Sequence, residues 1–194
     1  MQKIAFYIIL MVALTNYSYL SAQTQQINWM SWEEAVELSE ATPKKIFVDI
    51  YTDWCGWCKK MDEHTFTDPN IIRYLNENYY PVRLNAQQKE NISFAGKIYQ
   101  LITQGNNAYH ELAITLMNGK MKYPTMVFID EELQVIQSIP GYRGPLELEL
   151  FMTYFGEDNH LFQPWFRFKK NQEQARQNSF TPIHSLQVPV KNRN

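Results

Sequence analysis

Both cysteines of the 194-residue chain stand two residues apart in Trp54-Cys55-Gly56-Trp57-Cys58-Lys59-Lys60, directly behind the apolar run Ile46-Phe47-Val48-Asp49-Ile50. A short run of that kind reads as a buried strand, and a dithiol placed where a strand gives way to a helix constrains everything around it. The strand fixes Cys55 at the carboxyl edge of a sheet. The helix start offers its sulfur unpaired backbone N–H groups and a positive dipole end, and both favour thiolate over thiol. A disulfide needs Cα atoms about 4.4 to 6.8 Å apart, which residues i and i+3 of one helical turn supply. Cys55 is therefore expected to attack, and Cys58 to resolve the mixed disulfide formed on it. Lowering a thiol pKa from about 8.5 to about 7 gains only about 3-fold in rate once the weaker nucleophilicity is counted, so positioning must supply the rest.

Two blander uses of the spacing compete. A structural zinc site needs four ligands, and the chain has no second cysteine pair and only His64 and His110 nearby, neither at paired spacing. A purely structural disulfide would close a loop of two residues and remove little chain entropy.

Residues 1–22 have a charged start at Lys3, an apolar run from Ile4 to Leu14, and small residues at Ser21 and Ala22, the layout of a secretory signal cleaved after Ala22. That run spans about 16 Å as a helix against about 30 Å of hydrocarbon, which favours a cleaved leader over an anchor, although Tyr17, Tyr19 and Leu20 lengthen the greasy zone. Residues 23–194 are enough for one domain with a sizeable core. An exported domain relying on disulfide staples would carry more cysteines, so the pair reads as function rather than scaffold. Loss of Lys3 takes the formal charge from −2 to −3, and only Arg167-Phe168-Lys169-Lys170 clusters basic side chains, so a nucleic-acid partner is not expected.

Along the chain, Ser31 caps a helix from Trp32 with Glu34 at the capping-box position. Lys45 to Tyr51 is the buried strand, followed by a helix from Cys55 through Met61 toward Phe66. Asp68-Pro69 opens another helix with Ile71, Ile72 and Leu75 on one face. Pro81 to Asn85 completes a βαβ unit. An insert of about residues 86–122 follows, with a hairpin from Ile92 to Tyr99 turning at Ala95-Gly96 and a helix from Ala108 to Met117 ended by Asn118-Gly119. Strands Thr125–Ile129 and Leu133–Gln137 and a helix Leu146–Phe155 complete an α/β layer sandwich, a mixed sheet with helices on both faces. Trp165, Phe166 and Phe168 mark a short aromatic helix within a C-terminal extension of residues 157–194, whose end after about Ser179 lacks periodicity.

The stretch Phe47-Val48-Asp49-Ile50-Tyr51-Thr52-Asp53-Trp54-Cys55-Gly56-Trp57-Cys58-Lys59 resembles the active-site strand and helix of the thioredoxin superfamily. Its continuation through Met61, Phe66-Thr67-Asp68-Pro69 and Tyr74-Leu75-Asn76-Glu77-Asn78 is similar to the secreted thioredoxin-like subgroup, here with a Cys-Gly-Trp-Cys site. The resemblance spans roughly residues 30–156 and implies a thioredoxin-like domain at 23–156, with the insert preceding the strand that follows a cis-proline. It implies that Pro124 is that cis-proline, and that Tyr123 and Thr125 turn their backbone toward the cysteines to pair with an extended substrate. Trp54, Gly56 and Trp57 are then substrate-facing. Asp49 matches the family's buried acid, which would take a proton from Cys58 as that thiol attacks. Arg83 stands where the family often has a lysine, and a guanidinium close to Asp49 would hold the acid ionised. Trp57 replaces the proline usual before the second cysteine.

The expected activity is that of an exported thiol:disulfide oxidoreductase acting on protein disulfides or thiols, as a reductase fed by a membrane electron donor, in a periplasm or outside the cell. The cofactor expectation is none: no metal, nucleotide or flavin is implied. Rival readings are an oxidase or isomerase, and an adaptor built on the same scaffold with non-catalytic cysteines. Oligomeric state is not legible.

Overall fold

The computed structural model describes residues 26–105 and 107–179. The expected leader and the end of the tail lie outside the described residues. Among those described, no helix is long and apolar enough to cross a membrane.

The first helix, α1 (Trp32–Ala41), has the anticipated capping box: the Glu34 N–H donates to Ser31 Oγ at 3.2 Å and the Ser31 N–H to Glu34 Oε2 at 2.8 Å. Strand β1 (Ile46–Tyr51) leads into α2 (Gly56–His64), and α3 (Pro69–Asn78) starts on an Asp68 side chain that accepts from the Asn70 and Ile71 N–H groups. Strand β2 (Tyr80–Asn85) runs parallel to β1, closing the βαβ unit. Strands β7 (Thr125–Ile129) and β8 (Val135–Pro140) then extend the sheet antiparallel, giving the order β2-β1-β7-β8. Helices α5 (Pro145–Gly156), α6 (Asn159–Phe162) and α7 (Trp165–Ser179) follow.

The period-2 alternation of strands sorts the core into two layers. Phe47, Met126 and Phe128 face α2, α3 and α5, while Ile46, Val48, Ile50, Val82, Leu84, Val127 and Ile129 face α1 and the insert. Asp49 shares the parity of Phe47, so the same rule turns it toward the helix that carries the dithiol. In register with it, Arg83 of β2 points to the same side.

Segment 86–124 departs from expectation. The hairpin β3 (Ile92–Phe94) and β4 (Lys97–Tyr99) is present, with φ positive at both Ala95 and Gly96 as a two-residue turn requires. A second hairpin follows, however: β5 (Leu101–Gln104) pairs with β6 (Asn107–His110), and only Glu111–Leu116 forms a helix, α4. The expected helix over Ala108–Met117 therefore begins late. Its first residues have other partners: the His110 N–H donates to Ala86 O at 2.7 Å, and the His110 ring caps α4 by accepting from the Leu112 N–H. That buried histidine is structural. Strand β8 likewise starts at Val135 rather than Leu133, because Leu133 sits in the left-handed region with φ 61°.

The extension after Gly156 joins the main core instead of standing apart. Trp165 stacks on Phe151 with ring centroids 4.2 Å apart, and Phe168 is buried in the same layer, while Phe166 faces outward. The buried ammonium of Lys45, at the start of β1, bonds both Glu131 and Asp158 and so ties the extension to the sheet. Where α5 ends, Gly156 lies so close to α3 that a Cβ would stand 2.8 Å from Tyr79 Oη and 3.1 Å from Tyr74 Oη. Tyr79 is buried and donates its hydroxyl to Met152 O at 2.7 Å, so it cannot swing away freely. Gly156→Ala should lower stability by about 1–3 kcal/mol in a denaturant titration, with partial rescue by Tyr79→Phe; an unchanged midpoint would refute this packing.

Candidate active site

Strand β1 ends at Tyr51, and a turn in which the Cys55 N–H donates to Thr52 O at 3.1 Å delivers Cys55 to the N-cap of α2. Cys58, one turn later, is joined to it in a disulfide with Cα atoms 5.3 Å apart. The Cys58 N–H donates to Cys55 Sγ at 3.1 Å. In the reduced state that bond and the helix terminus would stabilise negative charge on Cys55 more than on Cys58, whose sulfur has no donor aimed at it among the described residues. Cys55 and Cys58 retain 5% and 3% exposure. The neighbouring indoles of Trp54 and Trp57 are 65% and 58% exposed, and apart from its chain neighbours and its own helix backbone no described residue lies within 4 Å of where a Cβ on Gly56 would stand. The approach to the sulfurs is therefore narrow, with an aromatic rim.

On the side of β1 that faces α2, Asp49 is fully buried, and its Oδ1 accepts no hydrogen bond from the described residues. The Arg83 guanidinium does approach it, Nε lying 3.5 Å from Oδ2, as the β2 register dictates. Its stronger engagement is elsewhere: Nη2 donates to both Asp62 oxygens at 2.9 and 3.0 Å, and the group lies 4.4 Å from the Tyr51 ring centroid and 5.5 Å from that of Trp29. Desolvation raises the Asp49 pKa, Arg83 opposes that, and the nearby Asp62 charge raises it again, with the outcome at about 7. A guanidinium near Asp49 thus does not keep it in the ordinary carboxylate range, because burial outweighs a cation already shared with a second acid. Asp62 was not singled out in the sequence, though its i+4 relation to Cys58 on α2 puts the two on one face.

Two flanks frame the dithiol. On one, the Tyr123-Pro124 bond is cis, the Tyr123 ring meets the Trp54 indole edge-on at 5.8 Å, and Thr125 pairs with Ile50 at the end of β1. Pro124 O accepts from the Gly141 N–H at 2.7 Å, and Thr125 Oγ1 donates to Lys122 O at 2.6 Å, fixing that turn. On the other, Trp57 lies 5.7 Å from the Tyr142 ring, and Lys60 Nζ lies over both rings, 5.1 and 5.7 Å from their centroids. Trp54, Gly56, Trp57, Tyr123, Pro124 and Thr125 thus share one end of the molecule with the cysteines. Gln87 and Tyr142 also belong there, through Trp54 and Trp57, and loop positions of that kind leave no periodic signal in a sequence.

The family model described as Thioredox_DsbH, protein of unknown function, DUF255, matches residues 11–145. An uncharacterized protein of Archaeoglobus fulgidus is 32% identical over 79 residues, covering 41% of this chain and 62% of that protein. The thiol:disulfide interchange protein DsbD of Citrobacter koseri is 42% identical over 95 residues, covering 49% of this chain but 13% of that protein. The chain thus spans less than two thirds of either relative. The solved structure of a DsbH oxidoreductase superposes with a TM-score of 0.50 at 20% identity, over 68% of this chain and 85% of that one, a likeness of fold.

Proposed function

We propose that this protein, which belongs to the thioredoxin-like family described as Thioredox_DsbH, DUF255, exchanges disulfides with protein substrates through Cys55 and Cys58. The observation that carries the reading is the N-cap placement of Cys55, with the Cys58 N–H on its sulfur and a neutralisable acid buried below. In the reductive direction the Cys55 thiolate attacks a substrate disulfide, forming a mixed disulfide and releasing one substrate sulfur as thiolate. Cys58, losing its proton to Asp49, then attacks Cys55 Sγ; the Cys55–Cys58 disulfide forms and the second substrate sulfur leaves. Two electrons pass to the substrate, and a donor must return two to the protein.

Trp54, Gly56, Trp57, Tyr123, Pro124 and Thr125 would line the path of the incoming polypeptide. The reductase direction, export on the residue 1–22 leader into a periplasm, and recharging by a membrane donor are parts of the same proposal, supported by the leader's composition. The test is reduction of insulin with dithiothreitol as terminal reductant. Catalytic amounts of protein should accelerate it and Cys55→Ser should not; a rate equal to dithiothreitol alone would remove the reading. Equilibration with glutathione gives the direction, a potential near about −270 mV suiting a reductant and one near about −120 mV an oxidant.

A further inference from the structure

The second hairpin of the insert reaches the dithiol through one side chain. Trp54 Nε1 donates to Gln87 Oε1 at 2.9 Å, and Gln87 Nε2 donates to Ala108 O at 3.2 Å in β6, so both ends of the Gln87 amide are used. The loop that carries Gln87 is itself braced: its N–H donates to Asn85 Oδ1 at 2.9 Å, and the His110 N–H bonds the preceding Ala86 carbonyl. Next to Ala108, Tyr109 lies close enough to act electrostatically on the Tyr123 phenol, whose ring meets Trp54. Trp54, Gln87 and the β6 strand thus form a bonded chain beside Cys55, with Tyr123 edge-on to Trp54 and Tyr109 next to Ala108 in β6.

The hairpin register says which surface it presents. Ile102 pairs with Tyr109, and side chains of directly paired residues share a face. Leu101, Ala108 and the buried His110 take the opposite face. Ile102 is 37% exposed, so the face it shares with Tyr109 adds apolar surface on the insert to the Trp54 and Tyr123 rings of the rim. These side chains carry no formal charge at neutral pH, and their area is apolar and ring-rich, the kind of surface that takes up an apolar side chain and leaves a charged one in water.

We propose that the β5–β6 hairpin is a substrate-selecting wall of this site, positioned by Gln87, and that it receives an apolar or aromatic residue flanking the disulfide of a protein substrate. The inference rests on the dithiol exchange proposed above and specifies its substrate class. Gln87 acts as a positioning residue: it touches no reacting atom, but it sets Trp54 against the hairpin.

The test compares three disulfides reduced by the full chain. Two are peptides that differ only at the residue beside the cysteine, Phe in one and Asp in the other. The third is bis(2-hydroxyethyl) disulfide, too small to reach the wall. The wild-type protein should favour the Phe peptide by at least about tenfold in kcat/KM, the discrimination an apolar surface typically supplies. Gln87→Ala and, independently, Tyr109→Ala should cut that preference to about threefold or less, through a loss toward the Phe peptide that exceeds any loss toward the small disulfide. Gln87→Glu keeps an acceptor for Trp54 but loses the donor to Ala108 O, and it should also lose the preference. Variants that keep the preference, or that lose rate equally toward all three disulfides, overturn the inference. A wild type that reduces the small disulfide without preferring the Phe peptide refutes the wall and spares the exchange reading. One inert toward all three refutes both.

Discussion

Asp49→Asn should make the oxidised protein more stable by about 4 kcal/mol at pH 8 and, in the reduced protein, slow disulfide exchange by about 10²-fold. The first effect follows from the buried acid. Its pKa rises from 3.8 to about 7 on folding, mainly through desolvation. Between those values the folded state holds a proton that the unfolded state has released, so the stability this proton confers is complete below pH 4 and is lost as pH climbs through about 7. Asparagine has nothing to ionise. The wild-type and variant denaturation curves should therefore nearly coincide at pH 4 and separate by pH 8. The second effect has the opposite sign because the same proton-accepting capacity is what Cys58 uses when it attacks. Parallel stability profiles across pH 4 to 8 would mean that Asp49 is solvated or permanently paired with Arg83, and the proton-relay assignment would fall with them.

Cys58→Ser should leave Cys55 able to attack but unable to let go. A resolving thiol one helical turn away acts at high local concentration; even at a modest effective molarity of about 1 M, it outpaces about 1 mM external thiol by about 10³-fold. Reduced Cys58→Ser mixed with a peptide disulfide should accumulate a covalent adduct visible by intact mass, whereas Cys55→Ser should give little or none. Adducts of equal yield from both variants would show that the two sulfurs are interchangeable, contrary to their different places on α2.

The family resemblance singles out Asp49 and Arg83, and strand periodicity explains why the two meet. Asp49 shares a face with Phe47, and its β2 partner is Arg83, so alternation and parallel pairing alone bring acid and cation together under the dithiol helix. Capping residues were equally legible, since Ser31 and Asp68 act on neighbours three residues away or fewer. The insert was not. Ala108, Tyr109 and His110 carry no strand-like alternation strong enough to outweigh the helical run that follows, and what holds them extended is a distant carbonyl, Ala86 O, together with the facing strand β5. Gln87 was invisible for the same reason, because its importance lies in two long-range bonds. The sharing of Arg83 between Asp49 and Asp62 also depends on geometry that residue types do not contain.

The central claim is that Cys55 presents the reactive thiolate while Cys58 waits beneath it, and the most direct measurement is the order in which the two react. The reduced wild-type protein is treated with substoichiometric iodoacetamide at pH 7, and the label is mapped by peptide mass. The account expects the carbamidomethyl group on Cys55, with Cys58 unmodified until Cys55 is consumed. Label appearing first on Cys58, or on both at equal rates, would contradict it.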